Sequence, residues 1–193
     1  MNELLIPISN NEFKSKVNIK FDNILDGFDL FKNFTIEGNN IEDGENKIIE
    51  FVEKIFEENY CEAYVDFYIN KISDEDREKL ISLVPDKDKE ILQIHLKATP
   101  HDGVFYKVVN KSLIPFLVRL NTRENFFVTF YFINKPITIW GNYGMKFPCF
   151  FNNQEDLDFY YKLYKSFCLS NRIIVSTHIN NIYTSRTKKG YQK

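Results

Sequence analysis

Three histidines, His95, His101 and His178, are the side chains of this chain that titrate nearest neutral pH unaided, so acid–base or nucleophilic chemistry has to be sought around them first. His95 falls in an alternating run, residues 91–97, in which Leu92, Ile94 and Leu96 point one way and Gln93, His95 and Lys97 the other, so it is expected on a polar strand face. His101 sits in Thr99-Pro100-His101-Asp102-Gly103, where Asp-Gly suits a tight reversal. His178 follows Ser176 by two residues and shares its face of an expected strand over 173–179. A hydroxyl and its base need hydrogen-bond contact, which neighbours along one strand face do not provide, so no catalytic residue is assigned.

Metal and phosphate chemistry find no better footing. Cys61, Cys149 and Cys168 are odd in number and widely spaced, no His or Cys pair has ligand spacing, and Asp74-Glu75-Asp76 is accounted for by the helix cap that Ser73 offers. Gly141-Asn142-Tyr143-Gly144 lacks the strand, glycine loop and helix context of a phosphate cradle and reads as a turn. Neither a metal nor a cofactor is expected, and the enzyme question leans to no.

Binding chemistry is better represented. Residues 61–70, CEAYVDFYIN, alternate strictly, with Cys61, Ala63, Val65, Phe67 and Ile69 on a core face and Glu62, Tyr64, Asp66, Tyr68 and Asn70 on the other. Tyrosines interleaved with acids can grip a basic surface, because Tyr offers a large contact area at low entropic cost and keeps a polar tip. Charge supports the idea: residues 41–90 carry 16 acidic and 7 basic side chains, a balance of −9, within a chain of net charge −2. Glu62, Tyr64, Asp66 and Tyr68 are therefore candidate partner-binding residues. Trp140 and Tyr143 join them, because they flank a turn where burial is hardest to guarantee.

These residues hang on a recognisable set of elements. The stretch 126–151 holds ten of the chain's 19 Phe, 11 Tyr and 1 Trp, and two interruptions, at 134–136 and 141–144, divide it into three short runs that read as an antiparallel meander. Its first run is apolar on both faces and needs cover on both. Helices are expected over 44–58, where Ile48, Phe51, Val52, Ile55 and Phe56 recur at helical spacing, and over 154–168, capped by Asn153. Shorter elements are expected as strands at 4–8, 17–21, 35–37 and 104–109, a short helix at 23–31, and a helix running from the Ser73 cap to Pro85. A turn at 86–90 then leads into strand 91–97. Segment 113–120 is open between helix and strand and leans to strand, with 121–125 closing a hairpin into the meander.

The expected fold is a single α+β domain over 1–180, with a largely antiparallel sheet whose aromatic meander is covered by the two main helices, followed by a basic polar tail over 181–193. At 193 residues and 44% apolar composition the chain can bury a substantial core without staples. The cysteine usage suits a reducing cytoplasm, and neither a leader nor an 18-residue apolar run suggests secretion or a membrane. Function is then expected to be non-catalytic protein binding, in its most concrete form a small bacterial inhibitor or immunity protein whose acidic and aromatic surface meets a partner with a basic surface. The alternative is a nucleic-acid-binding or nucleic-acid-processing protein that uses the basic C-terminal half, His178, and Arg186, Lys188 and Lys189 beside Tyr183 and Tyr191.

Overall fold

The structure, a computed structural model, describes residues 5–38, 40–97 and 102–167. The expected strand 173–179, the basic tail, His101, His178 and Cys168 lie outside the described residues. In chain order the elements are β1 (Ile6–Pro7), α1 (Asn10–Lys16), α2 (Ile24–Leu30), β2 (Lys32–Glu37), α3 (Asp43–Glu58), β3 (Ala63–Asp66), α4 (Asp74–Leu83), α5 (Asp86–Lys97), β4 (Phe105–Val108), α6 (Ile114–Thr122), β5 (Thr129–Phe132), β6 (Ile137–Ile139), β7 (Lys146–Phe151) and α7 (Gln154–Ser166). Short 3-10 turns occupy Tyr68–Lys71 and Lys111–Leu113.

All strands join one antiparallel sheet in the order β1-β4-β3-β5-β6-β7-β2, which is the α+β architecture expected from the sequence. The meander is β5-β6-β7, at its centre. Register fixes the two faces: Val65, Phe130, Ile139, Cys149 and Phe34 share one row, while Tyr64, Tyr131, Thr138, Phe150 and Asn33 share the adjacent row on the opposite face. The first face carries the main core, closed by α3, α6 and α7 with Phe51, Phe56, Phe116, Leu117, Tyr160 and Tyr164 all buried. Each such aromatic side chain contributes about 2–3 kcal/mol of transfer free energy, so this layer dominates the stability of the fold. The second face is covered by α1 and the crossing segment 17–21 through a smaller cluster of Ile8, Phe13, Val17, Tyr64 and Tyr131, and by α2, whose Phe28 meets Phe150 edge-on at 5.3 Å.

Four expectations are corrected. Residues 86–97 form a helix and not a turn followed by a strand: the carbonyl of Pro85 accepts from the amides of Asp88 and Lys89, acids fill the first turn, and the buried side chains Asp88, Leu92 and His95 are spaced by four and three. The alternation of Leu92, Ile94 and Leu96 misleads because Ile94 is exposed. Segment 113–120 is helical, since Pro115 stands at the start of α6, where its missing N–H costs nothing and its fixed φ favours the helix. The hairpin expected at 121–125 is instead the end of that helix, which closes with Glu124 at φ 55°. Finally, 17–21 pairs with no strand among the described residues; its backbone bends at Asn18 and Ile19 and it crosses the sheet face, held where the Thr138 hydroxyl donates to the Ile19 carbonyl at 2.6 Å.

Candidate functional site

The second face of the sheet is incompletely roofed, and the gap is a cleft of about 500 Å³ lined by Phe13, Lys14, Lys20, Phe21, Asp22, Asp66, Tyr68, Phe105, Tyr131 and Trp140. Its floor follows from strand register. Asp66, the last residue of β3, stands opposite Phe105 on one side and Thr129 on the other, and Trp140 follows Ile139, the partner of Phe130, so the next step of the ladder brings it alongside Thr129. Its roof follows from aromatic packing. Phe13 of α1 stacks on Phe105 at 3.7 Å and meets Tyr131 edge-on at 4.9 Å, while Phe21 stacks on Trp140 at 5.4 Å and packs edge-on against Phe150 at 4.7 Å. Gly27 lets α2 close on this corner, because a Cβ there would stand 2.6 Å from the Phe21 ring. Gly141 does the same behind Trp140: a Cβ would come within 2.0 Å of the Asn121 side-chain oxygen, which accepts from the Val128 amide.

Asp66 is the chemical centre of the cleft. One carboxylate oxygen accepts from the Thr129 amide at 2.6 Å and the other from the Tyr131 hydroxyl at 3.3 Å. Burial pushes its carboxyl up to about 6; the donors at Thr129 and Tyr131 work against that push without cancelling it. The phenol of Tyr68, at the rim and 46% exposed, is raised by burial and then by the charges of Asp66 and Asp22. Tyr131 is raised well above the ordinary phenol range by burial and by Asp66. The cleft therefore combines one carboxylate poised near neutrality, neutral tyrosines, a second acid, and two exposed lysines, of which Lys20 donates to the Val17 carbonyl.

The six candidate partner-binding residues are distributed unevenly. Asp66, Tyr68 and Trp140 converge on the cleft. Tyr64 is fully buried beneath α1, with the Lys16 ammonium 5.6 Å from its ring centroid and its hydroxyl donating to Glu62 at 2.8 Å. Glu62 is paired with Lys107 at 2.5 Å; burial would raise its carboxyl, but Lys107 and the Tyr64 hydroxyl outweigh that and hold it below the usual range. Tyr143 stands 66% exposed on a separate turn, edge-on to Phe127 at 4.7 Å. Phe13, Phe21 and Asp22 are cleft residues that the sequence reading did not assign. Phe21 ends the apparent alternation of Val17, Ile19 and Phe21, which looks like a strand and is in fact the lining of a crossing segment.

His95 also departs from expectation: it is 9% exposed, packs against Phe67 and Tyr106 at 5.3 and 5.1 Å, and its Nε2 has no hydrogen-bond partner among the described residues. Among the described residues no group of three or more His, Cys, Asp or Glu side chains is arranged to hold a metal ion, and no helix is long and apolar enough to cross a membrane. Comparison of the chain with protein-family models, curated proteins and solved structures finds no match in any of the three.

Proposed function

We propose that this protein is a non-catalytic binding module that recognises a protein with a basic surface through the cleft between α1, α2 and the second face of the sheet. The observation that carries this reading is the convergence of Asp66, Tyr68 and Trp140 on one recess, with Asp22 at its rim. Aromatic anchors around a desolvated acid are the composition in which binding energy concentrates, while surrounding charge sets the encounter rate. A cytoplasmic inhibitor or immunity protein that neutralises a basic toxin or nuclease is the most concrete form of the proposal.

The test is capture of the cognate protein from the native host on the immobilised full-length chain, alongside a Tyr68→Ser/Trp140→Ala double variant whose near-ultraviolet and far-ultraviolet circular dichroism show that it folds. The double variant should retain less than about a hundredth of the wild-type affinity, the loss of two hot-spot aromatics. Equal capture by both proteins would remove the cleft from recognition. A second reading has its own support: Lys14 and Lys20 beside the rings of Phe21 and Trp140 would also suit a stacked base with its phosphate. Capture of RNA or DNA in place of protein, lost on nuclease treatment, would favour it.

A further inference from the structure

Three carboxylates are buried among the described residues, and they are not equivalent. Glu45, 4% exposed, receives the Arg123 guanidinium at 2.9 Å together with the Thr122 hydroxyl. Asp88, 1% exposed, receives a two-pronged contact from Arg119. Asp66, 8% exposed, pairs with no cation among the described residues; its partners are uncharged, the amide and side chain of Thr129 and the phenol of Tyr131. A buried carboxylate without a countercharge is costly, and this is the one that faces an open cleft. The two lysines of the lining are exposed, one of them engaged with a backbone carbonyl, so their repulsion at the mouth is screened, whereas the attraction of Asp66 acts from a drier site.

We infer that the cleft is a receptor for one organic cation, a guanidinium or ammonium group, which completes the buried charge of Asp66 and lies among the rings of Tyr68, Tyr131 and Trp140. This rests on the binding-module reading and adds to it the chemistry of the anchor: a basic side chain of the partner, Arg before Lys, because a planar guanidinium can both stack on a ring and offer a fork of donors to the carboxylate.

Trp140 is the only tryptophan, so its emission reports occupancy of the cleft directly. Full-length protein at neutral pH is titrated with N-acetyl-arginine amide, N-acetyl-lysine amide and, as the neutral isostere, N-acetyl-citrulline amide, with the free cation methylguanidinium as a separate arm. Saturable binding of the arginine amide, at least about ten-fold weaker for citrulline and at least about ten-fold weaker in Asp66→Asn, is expected. Methylguanidinium binding as tightly as the arginine amide would make the site a receptor for a free small cation; weaker binding would assign it to a side chain. Absence of saturable binding by every cation, or citrulline binding as well as arginine, overturns the inference on the wild-type protein alone. Because no partner is needed, that failure is separable from failure of the binding-module reading, which is decided by capture on the Tyr68/Trp140 variant.

Discussion

Asp66 concentrates the chemistry of the molecule in one side chain. Its folded carboxyl at about 6 lies above the ordinary 3.8, so the folded state binds its proton more tightly than the unfolded chain does. The sign follows: Asp66 favours folding most below pH 4, and that contribution is lost as pH rises through 6. Two units at about 1.4 kcal/mol each make the ionised group cost roughly 3 kcal/mol at neutral pH. Asp66→Asn, which keeps an acceptor for the Thr129 amide and carries no charge, should therefore be more stable than wild type by about 1–3 kcal/mol in denaturant titrations at neutral pH. The two should converge near pH 4. An Asn variant less stable than wild type at neutral pH would show that the carboxylate serves the fold and not a ligand. Glu62 and Tyr64 illustrate how little of this is visible in the residue pattern: Glu62, Tyr64, Asp66 and Tyr68 alternate alike, yet the first two are sealed by Lys107 and α1 and the last two open onto the cleft.

At the scale of elements, the helices at 43–58 and 154–166 and the three-stranded meander were legible because each carries a long, consistent pattern bounded by caps or turns. Where a pattern was short, tertiary contacts decided. Helix α5 is held by the Asp88–Arg119 pair, which no local pattern marks, and by His95, which the alternation of 91–97 places on a polar face. Segment 17–21 has the alternation of a strand, but its backbone is spent on crossing the sheet and on Thr138. The burial of His95 has a measurable consequence that opposes that of Asp66. With its imidazole lowered to about 4 by desolvation, the folded state binds fewer protons than the unfolded chain, so stability is full above pH 6.5 and is lost as pH falls toward 4. The loss amounts to roughly 3 kcal/mol over that window. Replacing His95 by Phe, which suits the space between Phe67 and Tyr106, should flatten the acid limb of the melting-temperature profile and leave the Tyr68/Trp140 cleft intact. An unchanged acid limb would show that His95 is solvated. Because Asp66 gains stability over much of the same window, the wild-type profile should be shallower than that of Asp66→Asn.

Across the whole molecule the two faces of the sheet divide the work. The first face, covered by α3, α6 and α7, supplies most of the burial, and the second is lidded by short, weakly patterned elements between residues 10 and 31. A site is most readily left open where the cover is thin, since the main core then carries stability independently of the cleft. Of the 16 acids of residues 41–90 only Asp66 lines the cleft, whose other acid is Asp22. Under the proposed function the rest of the block supplies a long-range field that speeds encounter with a basic partner, and that contribution is the one salt should remove.

The cleft as the seat of recognition for basic groups is tested most directly by titrating the full-length protein with an arginine-rich peptide while following Trp140 emission, at low and at high salt, in wild type and Asp66→Asn. Saturable binding is expected, weakened by salt in both proteins and at least about ten-fold weaker in the Asn variant at either salt concentration, since a buried charge is screened far less than a surface one. A peptide that binds both proteins equally, or that binds without altering Trp140 emission, would place the contact elsewhere on the surface and contradict the account.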